Sequence, residues 1–338
     1  MSGPKEGVPG KFVHDEAAFR RTIPYTLIAT DMPGVYTSPA WPDEFDPNTA
    51  SPAELVKNGL LVRRPGEKDP PALVAAWKRA FSRKRRAADR IVPQFGTPIV
   101  RQPVPRKPIR KGADPQLTSP NWAGAVFPGG KWVGILAYWK VPTVSKQPGE
   151  TSPGGWRSAS WIGIDGWAAS NDVLQAGVAQ VIPPPQYEPQ YYAWYEWFAP
   201  LTPNSPPYVN QTPITNFPVS PGDEVFSQVM YVGHTAGYVM FFNQTTDQYF
   251  TITLAPPPQA SFAGNSIEWI MEARIDLPVF TPLQFTLAVG CNPNFDNVDA
   301  TGYTANAEDA DIVNILGPAG TLTKVTTGNY SVTIDYVG

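Results

Sequence analysis

Between Trp156 and Trp197 the chain holds three short runs whose character alternates at every second residue, set apart by Gly, Pro, Asn and Asp. A period of two belongs to strands, because successive side chains leave opposite faces of a sheet. In Trp161–Asp165, Ile162 and Ile164 take one face, and Trp161, Gly163 and Asp165 the other. In Val173–Val178, Leu174, Ala176 and Val178 take one face, while Gln175 stands between Val173 and Gly177 on the other. In Tyr191–Trp197, Tyr192, Trp194 and Glu196 share a face. Each run therefore has a packing face and a face where rings or glycine stand beside a carboxylate or a carboxamide. Such a face is read either as the lining of a substrate groove or as the outer side of an ordinary half-buried antiparallel sheet.

The same texture continues from Thr118 to the end of the 338 residues. Strands are expected at Asn121–Val126, Trp132–Val141, Glu224–Val232, Ile267–Ile275, Gln284–Val289, Ala310–Ile315 and Tyr330–Tyr336. A hairpin is expected from Tyr238–Asn243 and Tyr249–Leu254 around Gln244–Asp247. With 40 Pro and 28 Gly punctuating the chain, this spacing predicts an all-β sandwich or jelly roll. In Ser266–Ala273, alternation puts Ile267, Trp269, Met271 and Ala273 on the core face and Glu268, Ile270 and Glu272 on the other. Two carboxylates four residues apart on a strand lie about 13 Å apart along it. They are not a close pair with each other, and by pattern alone both read as exposed charges.

The first 112 residues are different. They hold 20 Lys and Arg against 11 Asp and Glu, a net of +9, whereas residues 113–338 hold 6 against 18, a net of −12. The reading is a basic N-terminal extension with a linker (1–112) followed by a β-sandwich catalytic domain (113–338). Ser51-Pro52-Ala53-Glu54 has the form of a capping box opening a short helix that ends near Asn58-Gly59. A longer basic amphipathic helix is expected from Pro71 to Ile91, with Leu73, Trp77, Phe81, Ala88 and Ile91 on one face. Residues 93–112 read as a Pro-rich extended linker. A basic helix binds nucleic acid or a membrane surface, faces solvent, or docks on an acidic partner. The opposite charge of the two parts favours docking on the chain's own acidic half. No nucleic-acid motif accompanies the charge, and no apolar run of about 18 residues calls for a membrane. The N-terminus shows no signal-peptide core. With Cys291 alone no internal disulfide forms, and a monomer is expected.

His14 and His234 are the only histidines and no Gly-x-Ser-x-Gly elbow is present, which disfavours a serine or thiol hydrolase and a zinc site. What remains is chemistry by Asp, Glu and amide side chains: cleavage of a glycoside by a carboxylate pair, or hydrolysis by a carboxylate-activated water.

The runs Asn121-Trp122-Ala123-Gly124-Ala125, Trp161-Ile162-Gly163-Ile164-Asp165-Gly166, Leu174-Gln175-Ala176-Gly177, Ala193-Trp194-Tyr195-Glu196-Trp197 and Glu268-Trp269-Ile270-Met271-Glu272 occur in that order. Over residues 118–338 the chain thereby resembles the glutamic peptidases, or eqolisins. The resemblance implies two large antiparallel sheets related to concanavalin A-like lectins, acid endopeptidase activity on polypeptides, and no metal or other cofactor. It implies a catalytic dyad of Gln175 and Glu272, with Trp161, Asp165, Trp194 and Glu196 lining the cleft. It also implies that the basic N-terminal segment acts as an intramolecular inhibitor shielding an acidic enzyme; the opposed charges, with Trp77 and Phe81 as apolar anchors, predict that it leaves in acid as its partner carboxylates protonate. The chain departs from the family pattern at Ala179 and Tyr192, where acidic residues are usual. Two other readings are a carbohydrate-binding or glycan-cleaving sandwich using Trp161, Trp194, Glu196 and Glu272, and a proteolytically inactive binding module.

Overall fold

The alternating runs become strands, and the strands stack as two large sheets. The structure, a computed structural model, describes residues 15–83, 86–100, 109–110, 116–129, 131–167, 170–291 and 310–338. In chain order its strands are β1 (Ile28–Ala29), β2 (Val35–Thr37), β3 (Ile109–Arg110), β4 (Leu117–Ser119), β5 (Trp122–Pro128), β6 (Gly134–Lys140), β7 (Val144–Ser145), β8 (Trp156–Ile164), β9 (Val173–Ile182), β10 (Gln190–Phe198) and β11 (Thr212–Pro213). There follow β12 (Glu224–Val232), β13 (Ala236–Asn243), β14 (Gln248–Leu254), β15 (Ser266–Ala273), β16 (Val279–Phe280), β17 (Leu283–Cys291), β18 (Asp311–Gly317), β19 (Gly320–Thr321), β20 (Thr323–Gly328) and β21 (Ser331–Tyr336). One sheet, of nine strands, runs β1-β2-β14-β13-β12-β6-β17-β21-β20; the other, of ten, runs β11-β10-β9-β8-β15-β5-β18-β4-β3 with β19 paired on β18. The large strands pair antiparallel; β18 and β4 run parallel.

The packing faces read from the sequence meet between the two sheets. Ile162, Ile164, Leu174, Ala176, Val178, Trp269 and Met271 of one sheet form a common core with Ile135, Trp139, Val229, Val239, Phe241 and Ile252 of the other. Each fully buried large aliphatic or Phe side chain is worth about 1.5–3 kcal/mol relative to exposure. The faces that carry Gln175, Glu196 and Glu272 are thereby turned to the opposite side of the ten-stranded sheet.

The N-terminal segment forms a third layer, over the outer face of the nine-stranded sheet. Phe19, Trp41, Leu55, Leu60, Leu73, Trp77 and Phe81 make a second core with Tyr138, Phe226, Met230, Tyr238, Met240, Phe242 and Tyr249. The segment also extends that sheet at its edge, where β2 pairs with β14. Helix α1 (Glu16–Thr22) is capped by Asp15, and α2 (Pro52–Lys57) has the expected Ser51/Glu54 capping box. Helix α3 (Pro71–Ala80) is shorter than the sequence suggests and stops at Phe81. Its apolar face is used up there, because Arg83–Arg86 is an unbroken basic run. Asp89 then folds back onto the Arg86 backbone in a separate 3-10 turn. Docking on the acidic half does occur, but through rings. The cross-layer ion pairs in the described residues, Arg79–Glu224 at 2.7 Å and Arg83–Asp247 at 2.8 Å, are both solvent-exposed.

Candidate active site

Strand register fixes the layout of the groove face. In one cross-strand row, Glu196 on β10 faces Gln175 on β9, which faces Gly163 on β8, which faces Glu268 on β15. In a second row, four residues along, Tyr192 faces Ala179, Ala159 and then Glu272. Between the two rows runs Trp194, Gly177, Trp161 and Ile270. The floor is therefore made of Gly163, Gly177, Ala159 and Ala179, with rings and acids rising on either side.

Small floor residues let the large rings lie flat. A Cβ on Gly177 would come 2.6 Å from Trp161 Cβ, and one on Gly163 would come 3.0 Å from Trp161 Cζ3 and 3.1 Å from Gln175 Cβ. The Trp161 indole thus reaches from the Gln175 row toward the Glu272 row. Its Nε1–H donates to Glu272 Oε2 at 3.1 Å. Asn121 Nδ2 donates to Glu272 Oε1 at 3.4 Å, and Arg274 Nε lies 3.3 Å from Glu272 Oε2. Trp122 packs edge-on against Trp161, with ring centres 5.1 Å apart.

Gln175 is fully buried. Its Nε2 donates one hydrogen bond to Glu196 Oε2 at 2.8 Å, which leaves the second N–H to point elsewhere, since a carboxamide carries two donors. Its Oε1 has no hydrogen-bond partner among the described residues. Trp194 is buried beneath the Arg274 guanidinium, whose carbon sits 5.6 Å from the ring centre. Glu272 lines a cavity of about 460 Å³ together with Asn121, Arg157, Tyr192, Gln211 and Arg274.

The structure places five of the six expected site residues on this face. The exception is Asp165, which alternation had put beside Trp161. Strand β8 ends at Ile164, and Asp165 adopts a left-handed backbone with φ 69°. Its carboxylate accepts from Tyr231 Oη at 2.8 Å on the opposite sheet, and from the backbone N–H groups of Gly264 and Asn265 at 2.9 and 2.8 Å. Asp165 therefore ties a loop to the sandwich and does not line the cleft. Burial raises its pKa, against the three donors, which lower it.

Nor are Gln175 and Glu272 in contact. They lie two strands and four residues apart, about 16 Å between Cα atoms on a flat sheet, while Glu268 is only about 10 Å from Gln175. Sequence reasoning gave no role to Asn121, Arg157, Glu268 or Arg274. Glu268 was visible as the partner of Glu272 in alternation; the two arginines were not, because only register brings them together.

The comparisons with known proteins agree with this architecture. A Peptidase A4 family model matches residues 120–336. The chain is 29% identical over 235 residues to Aspergillopepsin-2 of Aspergillus niger, an overlap of 65% of this chain and 78% of the relative. It is 24% identical over 222 residues to Scytalidopepsin B of Scytalidium lignicola, covering 64% and 78%. Among solved structures, scytalido-glutamic peptidase with a peptide-based transition-state analogue superposes with a TM-score of 0.52 at 20% identity, over 64% of this chain and 98% of that one. A family match over more than half of the chain, on a sandwich with the same architecture, means that this chain belongs to the Peptidase A4 family and is a glutamic endopeptidase.

Proposed function

We propose that the chain hydrolyses peptide bonds with Glu272 as general base and Gln175 as oxyanion donor, and that its N-terminal segment restrains it in a precursor form. The observation that carries the dyad is that Glu272 is the carboxylate open to the cavity, held there by Trp161 and Asn121. A base must reach both water and substrate. Gln175 stands on the same face, oriented by Glu196 with one amide N–H to spare.

The separation of the two suits these roles. Both side chains rise from the same face of the sheet, so a water and a scissile carbonyl bound on that face would lie between them. Glu272 takes a proton from the water, and the water oxygen bonds to the carbonyl carbon. The carbonyl electrons move onto oxygen, which accepts from Gln175 Nε2. The proton held by Glu272 then passes to the leaving nitrogen as the C–N bond breaks, and the carboxylate is regenerated.

A second reading makes Glu268 the base, since register sets it nearer to Gln175. Purified Glu272→Gln, Glu268→Gln and Gln175→Ala are compared on a denatured protein at pH 3–5. Loss of about 100- to 1,000-fold in turnover is expected for Glu272→Gln and for Gln175→Ala with the fold retained, the usual order of cost for losing a general base or an oxyanion donor. Near-wild-type turnover of Gln175→Ala sinks the assignment. Activity retained in Glu272→Gln but lost in Glu268→Gln moves the base to Glu268.

Restraint by the N-terminal segment is supported by its course along the cleft. Phe95 bridges to Ile214, and Ile99 pairs with Gln211 beside β11. Ile99 and Val100 both line the cavity that holds Glu272. At the far edge of the same sheet, Ile109–Arg110 pairs with β4. Cutting the chain between residues 101 and 115 is expected to raise activity; a cut chain no more active than the intact one removes the inhibitory role.

A further inference from the structure

Two arginines stand side by side next to the proposed base. Ala273 pairs with Ser158, and the next residue, Arg274, donates its backbone N–H to the Arg157 carbonyl at 2.8 Å. Arg157 and Arg274 are therefore opposite one another on neighbouring strands. Both follow the alternation of Ala159 and Glu272, so they share the groove face. Like charges directly opposite in a sheet repel, with Cβ atoms about 5 Å apart. Among the described residues a single carboxylate, Glu272, forms an ion pair here, and it does so with Arg274. Arg157 makes no ion pair among the described residues, and its buried Nε has no hydrogen-bond partner; nor has Arg274 Nη2. Both side chains line the 460 Å³ cavity. The Arg274 guanidinium carbon sits over the Trp194 ring, 5.6 Å from its centre, a cation–π contact that holds the group in place.

We propose that Arg157 and Arg274 form a carboxylate-recognising subsite, so that this peptidase selects peptides bearing a carboxylate close to the scissile bond. The inference rests on the peptidase reading above and names its substrate class. Guanidinium groups bind carboxylates through paired charge-assisted hydrogen bonds, and a substrate carboxylate between them relieves the repulsion that the bare pair carries. The carboxylate comes either from an Asp or Glu side chain or from a peptide C-terminus.

The chain, cut within residues 101–115 so that the restraint proposed above is lifted and with both pieces present, is tested with matched fluorogenic peptides at pH 5.5, where Asp and Glu carboxyls are mostly ionised. One set has Glu or Gln at each position flanking the bond, with both ends blocked. The other is neutral, with a free or an amidated C-terminus. At one position or end, the acid is expected to exceed its amide counterpart by about tenfold or more in kcat/KM. In Arg157→Met and in Arg274→Met that ratio is expected to fall toward one. The two sets tell side-chain from terminal recognition. The proposal is overturned if no acid outperforms its amide, or if the ratio survives both substitutions. The same peptides are titrated by calorimetry onto the same cut chain, so that absence of any cleavage counts against the peptidase reading, while equal Kd values for acid and amide count against the subsite.

Discussion

Trp161 shows how much one side chain does here. Its ring covers the glycine floor, and its N–H holds Glu272. Trp161→Phe keeps most of the ring and removes the donor. A hydrogen bond to a charged group is worth about 1.5–3 kcal/mol, so kcat/KM is expected to fall by about 10- to 100-fold while near-UV circular dichroism stays native-like. An unchanged rate would show that Asn121 and Arg274 suffice to place Glu272. Asp165 gives a prediction in pH. Burial raises its pKa in the folded chain. A carboxyl whose folded pKa exceeds the unfolded one stabilises the fold below the unfolded value, and that contribution is lost as pH rises through the raised folded value. Asp165→Asn does not titrate, so the stability of the wild type relative to the variant should grow from pH 7 to pH 4 in urea titrations. A difference that shrinks on acidification contradicts the raised pKa. Alternation assigned the faces of Gln175, Glu196 and Glu272 from sequence, yet it failed at Asp165. A residue just past a strand end is free to take a left-handed turn, and period two no longer governs it.

At the scale of elements, the site depends on three strands lying close enough for Trp161 to bridge them. Gly177 sets that closeness, since an added Cβ would sit 2.2 Å from the Ser160 carbonyl oxygen on β8. Gly177→Ala must push β8 and β9 apart, and overpacking of this kind costs about 1–3 kcal/mol. A lowered urea midpoint with unchanged slope is expected, together with lost activity; a midpoint equal to wild type would show that the strands separate freely. Most large strands were legible because both faces are buried or functional and so patterned. Strand β20, Thr-Lys-Val-Thr-Thr-Gly, was not. Its few apolar residues carry a weak period, and it is held as a strand by pairing with β21 along its whole length. The short strands β1 and β2 were missed for a related reason: two or three residues are too few to show a period, and they exist because β14 offers an open edge.

For the whole molecule, the question is what fastens the N-terminal layer. The charge asymmetry visible in the sequence suggested an electrostatic clasp that opens in acid. The structure shows a second apolar core beside it, in which Trp77 and Phe81, apolar anchors already legible among the charges of the helix, are buried. Arg79–Glu224 and Arg83–Asp247 are exposed pairs, each worth about 0–1 kcal/mol and screened by salt. Against them stand Trp41 and Phe81, buried and packed on Phe226, Phe242 and Tyr249, with Trp77 buried against Phe81. Deleting one such ring typically costs about 3–5 kcal/mol. Apolar burial does not titrate between pH 7 and pH 4, and salt does not screen it. The layer is therefore expected to stay in place after the chain is cut. A specific-protease site placed within residues 101–115 allows the test. After cutting, the N-terminal piece should co-elute with the sandwich in gel filtration at pH 7, at pH 4 and in 1 M NaCl, and separate only in denaturant. In Trp77→Ala with Phe81→Ala it should dissociate or expose apolar surface to dye. Release at pH 4 or in salt alone would restore the electrostatic clasp. Retention at pH 4 with activity raised by the cut would instead place the restraint at Ile99 and Val100, and make the remainder of the N-terminal segment a permanent wall of the enzyme.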